Sequence, residues 1–170
     1  MSSPISIADL QDTALIARLQ ALVAESPVPA AAISAVLYTL QDARGYIDDV
    51  ALHAAAQLTG LSPVRVEELC TFYSLVLRAP AGRHVLRICD SIACHLAGAQ
   101  DLLAQAQAYS GVALGEVGLR GALTVVPHVC IGLCDRAPAL LVDGEAAGPV
   151  DATSLAQWLE QWEADAWKPS

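Results

Sequence analysis

Apolar residues recur along this chain in two rhythms, and the rhythm changes once. In the first part Leu10, Leu15, Leu19, Leu22 and Val23 return at helical spacing. They predict a helix that stops before the breakers Pro27 and Pro29. A second helix is predicted over residues 30–43, stopping near Gly45, and a third over about 50–58, closed by Gly60. A fourth opens at Ser62-Pro63, where a hydroxyl can cap the free amides and proline suits the first helical position. It is expected to continue through VRVEELCTFYSLV, to residue 76. Residues 1–80 therefore read as a small helical bundle.

The period switches after Ala79-Pro80-Ala81-Gly82, the predicted junction. Residues 84–88 alternate as a strand does, 95–108 carry Leu96, Leu102, Leu103 and Ala106 at helical spacing, and 123–126 are a β-branched run. ALLV at 139–142 leads into Asp143-Gly144, a strong hairpin signal, and then a second short strand over 146–150. The last helix begins at the cap residue Asp151 and carries Leu155, Trp158, Leu159 and Trp162 on one side. Strand, helix, strand, hairpin and helix make an α+β layer over residues 81–170, thioredoxin-like in outline.

Composition narrows what this layer and bundle can do. With 170 residues, 55% hydrophobic and 16% charged, the chain is globular rather than disordered, and its core must be aliphatic because aromatics are only 5%. The net charge of −9 is spread over both halves, and Lys168 is the single lysine. A phosphate-binding face is not expected, since nothing resembles a Lys/Arg stripe. The opening MSSPISIADLQD lacks the basic start and apolar run of a secretory signal, and no stretch is long and apolar enough to cross a bilayer. A cytoplasmic location is expected. Thiols stay reduced there, so paired cysteines are better read as metal ligands or redox groups than as structural disulfides.

Four of the five cysteines come in two close pairs, Cys89-x4-Cys94 and Cys130-x3-Cys134. Thiolates suit zinc, Cu(I) and iron–sulfur clusters. Structural zinc knuckles favour tighter pairs, often x2, and the ferredoxin patterns built on x2 spacings are absent. A two-iron cluster takes one pair of thiolates per iron, and a looser loop can wrap it with backbone amides aimed at sulfur. The first pair follows a strand end and precedes a helix start, and Gly132 lies within the second, where a missing side chain admits close approach of the backbone. One two-iron cluster is the reading the spacing favours, with structural zinc or free thiols as the plain alternatives. Asp90 and Asp135 beside the ligands should lower its potential, against Arg87 and Arg136.

GYIDD at 45–49, ELCTFYSLVLRAPAGRHVLRICDSIACHLAGA and VCIGLCDRAPALLVDG together resemble the thioredoxin-like two-iron ferredoxin component of NADH dehydrogenase modules. That family comprises the E subunit of NADH:quinone oxidoreductase (complex I), with relatives in NAD-linked formate dehydrogenases and NAD-reducing hydrogenases. The resemblance implies a helical N-terminal bundle followed by a thioredoxin-like [2Fe-2S] ferredoxin domain. It implies that Cys89, Cys94, Cys130 and Cys134 hold the cluster. It further implies a partner subunit with FMN, the NADH site and a [4Fe-4S] cluster, within a larger oxidoreductase that is peripheral and cytoplasmic. The N-terminal half would dock that partner, and no catalytic side chain is expected in this chain.

The remaining residues have plainer readings. Cys70 is expected to be a small core residue, and His95 and His128 to be bystanders beside the ligands. Ser91, Ile92, Ile131 and Leu133 are expected to screen the cluster from water or to face the flavin subunit. Trp158 and Trp162 are expected in a core or interface.

Overall fold

The computed structural model describes residues 6–166, and the chain divides into two compact units between Pro80 and Ala81. In the first unit the helices are α1 (Thr13–Ala24), α2 (Ile33–Arg44), α3 (Asp49–Thr59) and α4 (Pro63–Phe72). Asp12 starts α1 by accepting from the Leu15 amide at 2.9 Å. Leu10 is buried but does not belong to this helix: it closes a separate 3-10 turn, Ile7–Leu10, and Gln11 breaks the chain at φ 58°. The step of five between Leu10 and Leu15 marks that break. Residues 29–32, at the predicted start of the second helix, are likewise a 3-10 turn before α2. Gly45 (φ 85°) and Gly60 (φ 71°) end α2 and α3 in the left-handed conformation that glycine adopts without strain.

The core of this unit centres on α3. Its Ala51, Ala54 and Ala55 are fully buried, and such small side chains let α1, α2 and α4 pack against it. Leu19, Val36, Leu37, Leu40, Ile47 and Val66 fill the space around them. The end of α4 departs from the sequence expectation, because the helix stops at Phe72 and Tyr73 is extended. The cause is tertiary. The Gln41 side chain donates to the Leu75 carbonyl at 3.0 Å and accepts from the Leu77 amide at 2.6 Å, and the Leu77 carbonyl accepts from the Ile47 amide at 2.8 Å. These bonds take up the backbone groups that further helical turns would have used.

In the second unit, five strands and three helices follow among the described residues: β1 (His84–Cys89), α5 (Ile92–Leu96), α6 (Ala99–Ser110), β2 (Val117–Gly118), β3 (Leu123–His128), β4 (Leu140–Val142), β5 (Glu145–Ala147) and α7 (Ala152–Ala166). The sheet order is β2-β3-β1-β4-β5. β1 pairs parallel with β3, and the other pairings are antiparallel. A parallel pair needs a long crossover, which α5 and α6 supply. Leu86, Ile88, Leu123, Val125 and Leu140 of the strands form one core with Leu102 and Ala106 of α6 and Leu155, Leu159 and Trp162 of α7.

Two sequence expectations are corrected in this unit, and one strand was not expected. The helix expected over 95–108 is two, because Gly98 (φ 92°) turns the chain between α5 and α6. The strand expected over 146–150 ends at Ala147, since the Val150 amide bonds to the Pro138 carbonyl at 2.9 Å rather than to a ladder, and Pro149 has no amide to offer. The short β2 had no signal in the pattern, being only Val117–Gly118. The hairpin turn is as expected, with Asp143 (φ 52°) and Gly144 (φ 94°) at the two central positions. Asp143 also accepts from the Val85 amide and pairs with His84 Nδ1, both at 2.7 Å, and the His84 ring stacks on Trp162 at 4.9 Å.

Candidate metal centre

Because β1 and β3 run parallel and in register from His84↔Leu123 to Cys89↔His128, their carboxyl ends lie side by side. The Asp90 amide ties the two ends together by donating to the His128 carbonyl at 3.0 Å. A loop carrying one cysteine pair leaves each strand, so pairs remote in sequence meet at one edge of the sheet. That edge is where open sheets with parallel strands commonly place ligands.

Cys89 is the last residue of β1, and Cys94 stands within the first turn of α5 rather than ahead of the helix, where the sequence pattern placed it. Both are buried. Cys130 lies two residues beyond the end of β3, and Cys134 opens a 3-10 turn, Cys134–Arg136; both are exposed, with their sulfurs 3.4 Å apart. Gly132 between them has φ 86°, a conformation that a side chain would strain.

The backbone treats the sulfurs of the first pair as acceptors. Burial pushes the Cys89 thiol up, but the Ser91 amide, the Cys94 thiol and the Ile131 amide aimed at it outweigh burial and hold it below the usual thiol value. The Ile131 amide reaches it from the opposite loop. Cys94 is pushed up, first by burial and then by Cys89 and Cys134, against the backbone amide of Ala139. Cys134 is pushed up by its hydrogen bond with Cys130 and by the neighbouring thiol charges, Cys89 among them. These mutual influences locate all four sulfurs in one neighbourhood. Ala139 grips both members of the first pair, since its carbonyl also accepts from the Cys89 amide at 3.1 Å.

Two pairs of thiols, with backbone amides aimed at the first pair, form a donor set of the kind a two-iron cluster takes: two thiolates at each iron and amides at its sulfurs.

The other expected residues are distributed unevenly. Ser91 supplies its amide and hydroxyl to Cys89, and Ile131 and Leu133 pack half-buried against the core. Ile92 screens nothing in this chain: it is 81% exposed and, with the exposed Leu96 and Val129, leaves apolar surface flanking the cysteines. His95 is exposed, while His128 is buried with Nδ1 bonded to the Val129 carbonyl at 2.8 Å. Asp90, Asp135 and Arg136 are exposed, so solvent screens their effect on the site, and Arg87 is buried within β1. Cys70 lies in the core of the first unit, its thiol pushed up by burial. The contributions of Ala139 and Ile131 left no trace in the sequence, because both act through the main chain.

The chain is similar over most of its length to known proteins. A family model described as thioredoxin-like [2Fe-2S] ferredoxin matches residues 19–163. The E subunit of NADH-quinone oxidoreductase from Pseudomonas aeruginosa is 37% identical over 134 residues, covering 79% of this chain and 81% of that protein. The corresponding protein of Escherichia coli (strain K12) is 34% identical with the same coverage. Among solved structures, an NAD+-reducing [NiFe]-hydrogenase in the air-oxidized state is similar with a TM-score of 0.64 and 27% identity. That likeness covers 78% of this chain but only 24% of the hydrogenase chain. The family match takes in every strand of the described residues and both cysteine loops, and the chain belongs to the thioredoxin-like [2Fe-2S] ferredoxin family.

Proposed function

We propose that this chain is the electron-transfer subunit of an NADH-linked oxidoreductase, of the kind that complex I carries as its E subunit. The observation that carries the reading is the pairing of Cys89/Cys94 with Cys130/Cys134 at the ends of two parallel strands, with backbone amides aimed at sulfur. In this reading those four thiolates hold a [2Fe-2S] cluster. When bound, the cluster supplies one-electron chemistry, which lets a two-electron hydride acceptor release electrons singly. The chain's own residues ligate, position and set the potential, and none acts as acid, base or nucleophile.

The relatives named as NADH-quinone oxidoreductase subunits support assembly into a larger complex. The partner in this reading is a flavoprotein subunit carrying FMN, the NADH site and a [4Fe-4S] cluster, and the helical unit, residues 1–80, is the arm that docks it. The complex would lie in the cytoplasm, peripheral to the membrane; no helix among the described residues is long and apolar enough to cross one. The likeness to the NAD+-reducing hydrogenase favours a second reading, in which the same subunit serves a soluble hydrogenase or formate dehydrogenase.

Absorption and EPR spectra with iron, sulfide and zinc analysis test the proposal. About two irons and two sulfides per chain are expected, and Cys89→Ser or Cys130→Ser should change or abolish the spectrum. A colourless protein with a single zinc, or an unchanged spectrum in both variants, would overturn it. The proteins that copurify with the chain from its host distinguish the parent complexes.

A further inference from the structure

The four ligands are unequal in a way that holding a cluster does not require. Cys89 and Cys94 are 1% and 2% exposed, shut in by the end of β1, by α5 and by the backbone of Ala139. Cys130 and Cys134 face solvent on a loop that turns at Gly132, and their sulfurs stand 3.4 Å apart. A disulfide needs a sulfur separation near 2.05 Å, so this pair has about 1.4 Å left to close, within the range of side-chain rotation on an exposed loop. Exchange with an external disulfide requires in-line access to a thiol sulfur. The second pair offers that access and the first does not.

We propose that Cys130 and Cys134 form a thiol–disulfide site of the cluster-free chain, oxidised by low-molecular-weight disulfides, and that its oxidation blocks cluster insertion until a thiol reductant reopens it. This rests on the assignment of the four cysteines as ligands. The reaction balances within itself. One thiol of the pair attacks the reagent's disulfide bond to give a mixed disulfide and one small thiol, and the second thiol displaces the other small thiol. One S–S bond breaks in the reagent and one forms between Cys130 and Cys134. The two protein thiol protons end on the two released thiols, the protein pair is oxidised and the reagent reduced. A bound cluster prevents the reaction because both sulfurs are then committed to iron. The buried pair keeps its thiols, so the oxidised chain retains half of its cage and regains the other half on reduction.

The test uses the full chain stripped of iron by a chelator under reducing conditions, freed of reductant and incubated with oxidised glutathione. Remaining thiols are then alkylated after unfolding and mapped by mass spectrometry. The expected result is loss of two alkylatable thiols, both on the peptide spanning residues 130–134 and joined to each other, with Cys70, Cys89 and Cys94 still alkylated. Iron and sulfide reconstitution of that material should yield no cluster absorbance until a dithiol is added, and the cluster-loaded chain should resist the reagent. A disulfide joining Cys89 to Cys94, a bridge between the two loops, glutathione held stably on either pair, or unhindered reconstitution of the oxidised chain would each overturn the proposal. The two readings fail separately: a chain that never contains iron and sulfide sinks the ligand assignment, whereas a cluster-bearing chain with the wrong disulfide map sinks only this inference.

Discussion

At the scale of single residues, the cysteines declare themselves and the groups that position them do not. A thiol pair at fixed spacing is a chemical signal that survives without a fold. Gly148 is the opposite case. A Cβ there would overlap the Arg136 carbonyl oxygen and crowd the Ala139 side chain, so glycine lets the strand leaving the hairpin lie against the turn that holds Cys134. Overpacking of this kind typically costs about 1–3 kcal/mol. Gly148→Ala should therefore lower the urea midpoint by a corresponding amount and, because the displaced atoms belong to the Cys134 turn, shift the EPR spectrum of the reconstituted protein. An unchanged spectrum with lowered stability would reduce Gly148 to a packing residue. Gly132, by contrast, has open space around it, and its reason is its positive φ alone.

At the scale of elements, boundaries set by local signals were legible: Ser62 and Asp151 open α4 and α7, and Gly45 and Gly60 close α2 and α3, as expected. Asp12, Ser62 and Asp151 each accept an amide three residues on, at 2.9, 3.2 and 2.7 Å, and such caps act within four residues of chain. The end of α4 depends on Gln41, more than thirty positions away, and no local pattern could reveal it. Asp48 at the start of α3 combines both kinds of contact. It accepts from the Ala51 amide at 2.7 Å and pairs with Arg44 at 2.5 Å. Burial pulls its carboxyl up, but the amide and the guanidinium outweigh this and hold it below the usual carboxylate value. A group depressed in the folded state contributes stability above its unfolded value of about 3.9, and that contribution is lost as pH falls through the lower folded value. Asp48→Ala should cost about 1 kcal/mol in denaturant melts at neutral pH. The gap between variant and parent should narrow as pH falls below about 4, where the unfolded chain takes up the proton first, and should close once pH passes the lower folded value. A gap independent of pH would refute the electrostatic part of this account.

At the scale of the whole molecule, the two units have separate cores, one built on the alanines of α3 and the other on the sheet and the faces of α6 and α7. All four cysteines proposed as ligands belong to the second unit. Residues 81–170 alone should therefore take up a cluster with the EPR spectrum of the full chain but, if the helical unit docks the proposed flavoprotein partner, fail to bind that partner in a pull-down. Retained binding would move the docking surface off the helical unit, and the apolar side chains of Ile92, Leu96 and Val129 would then be the next place to look.

The sequence by itself determined which thiols are candidates for the chemistry, where the periodicity changes from helical to mixed, and how α4 and α7 begin. Each of these depends on residue type and on neighbours within a turn or two. Only the tertiary structure decided that the two cysteine pairs meet, because the meeting comes from the parallel register of β1 with β3 and nothing in either strand names its partner. It also decided that one pair is buried and the other open, since burial is set by what the rest of the fold lays over a side chain. The amides of Ile131 and Ala139 reach sulfur through the main chain, which every residue shares, so only the fold could aim them.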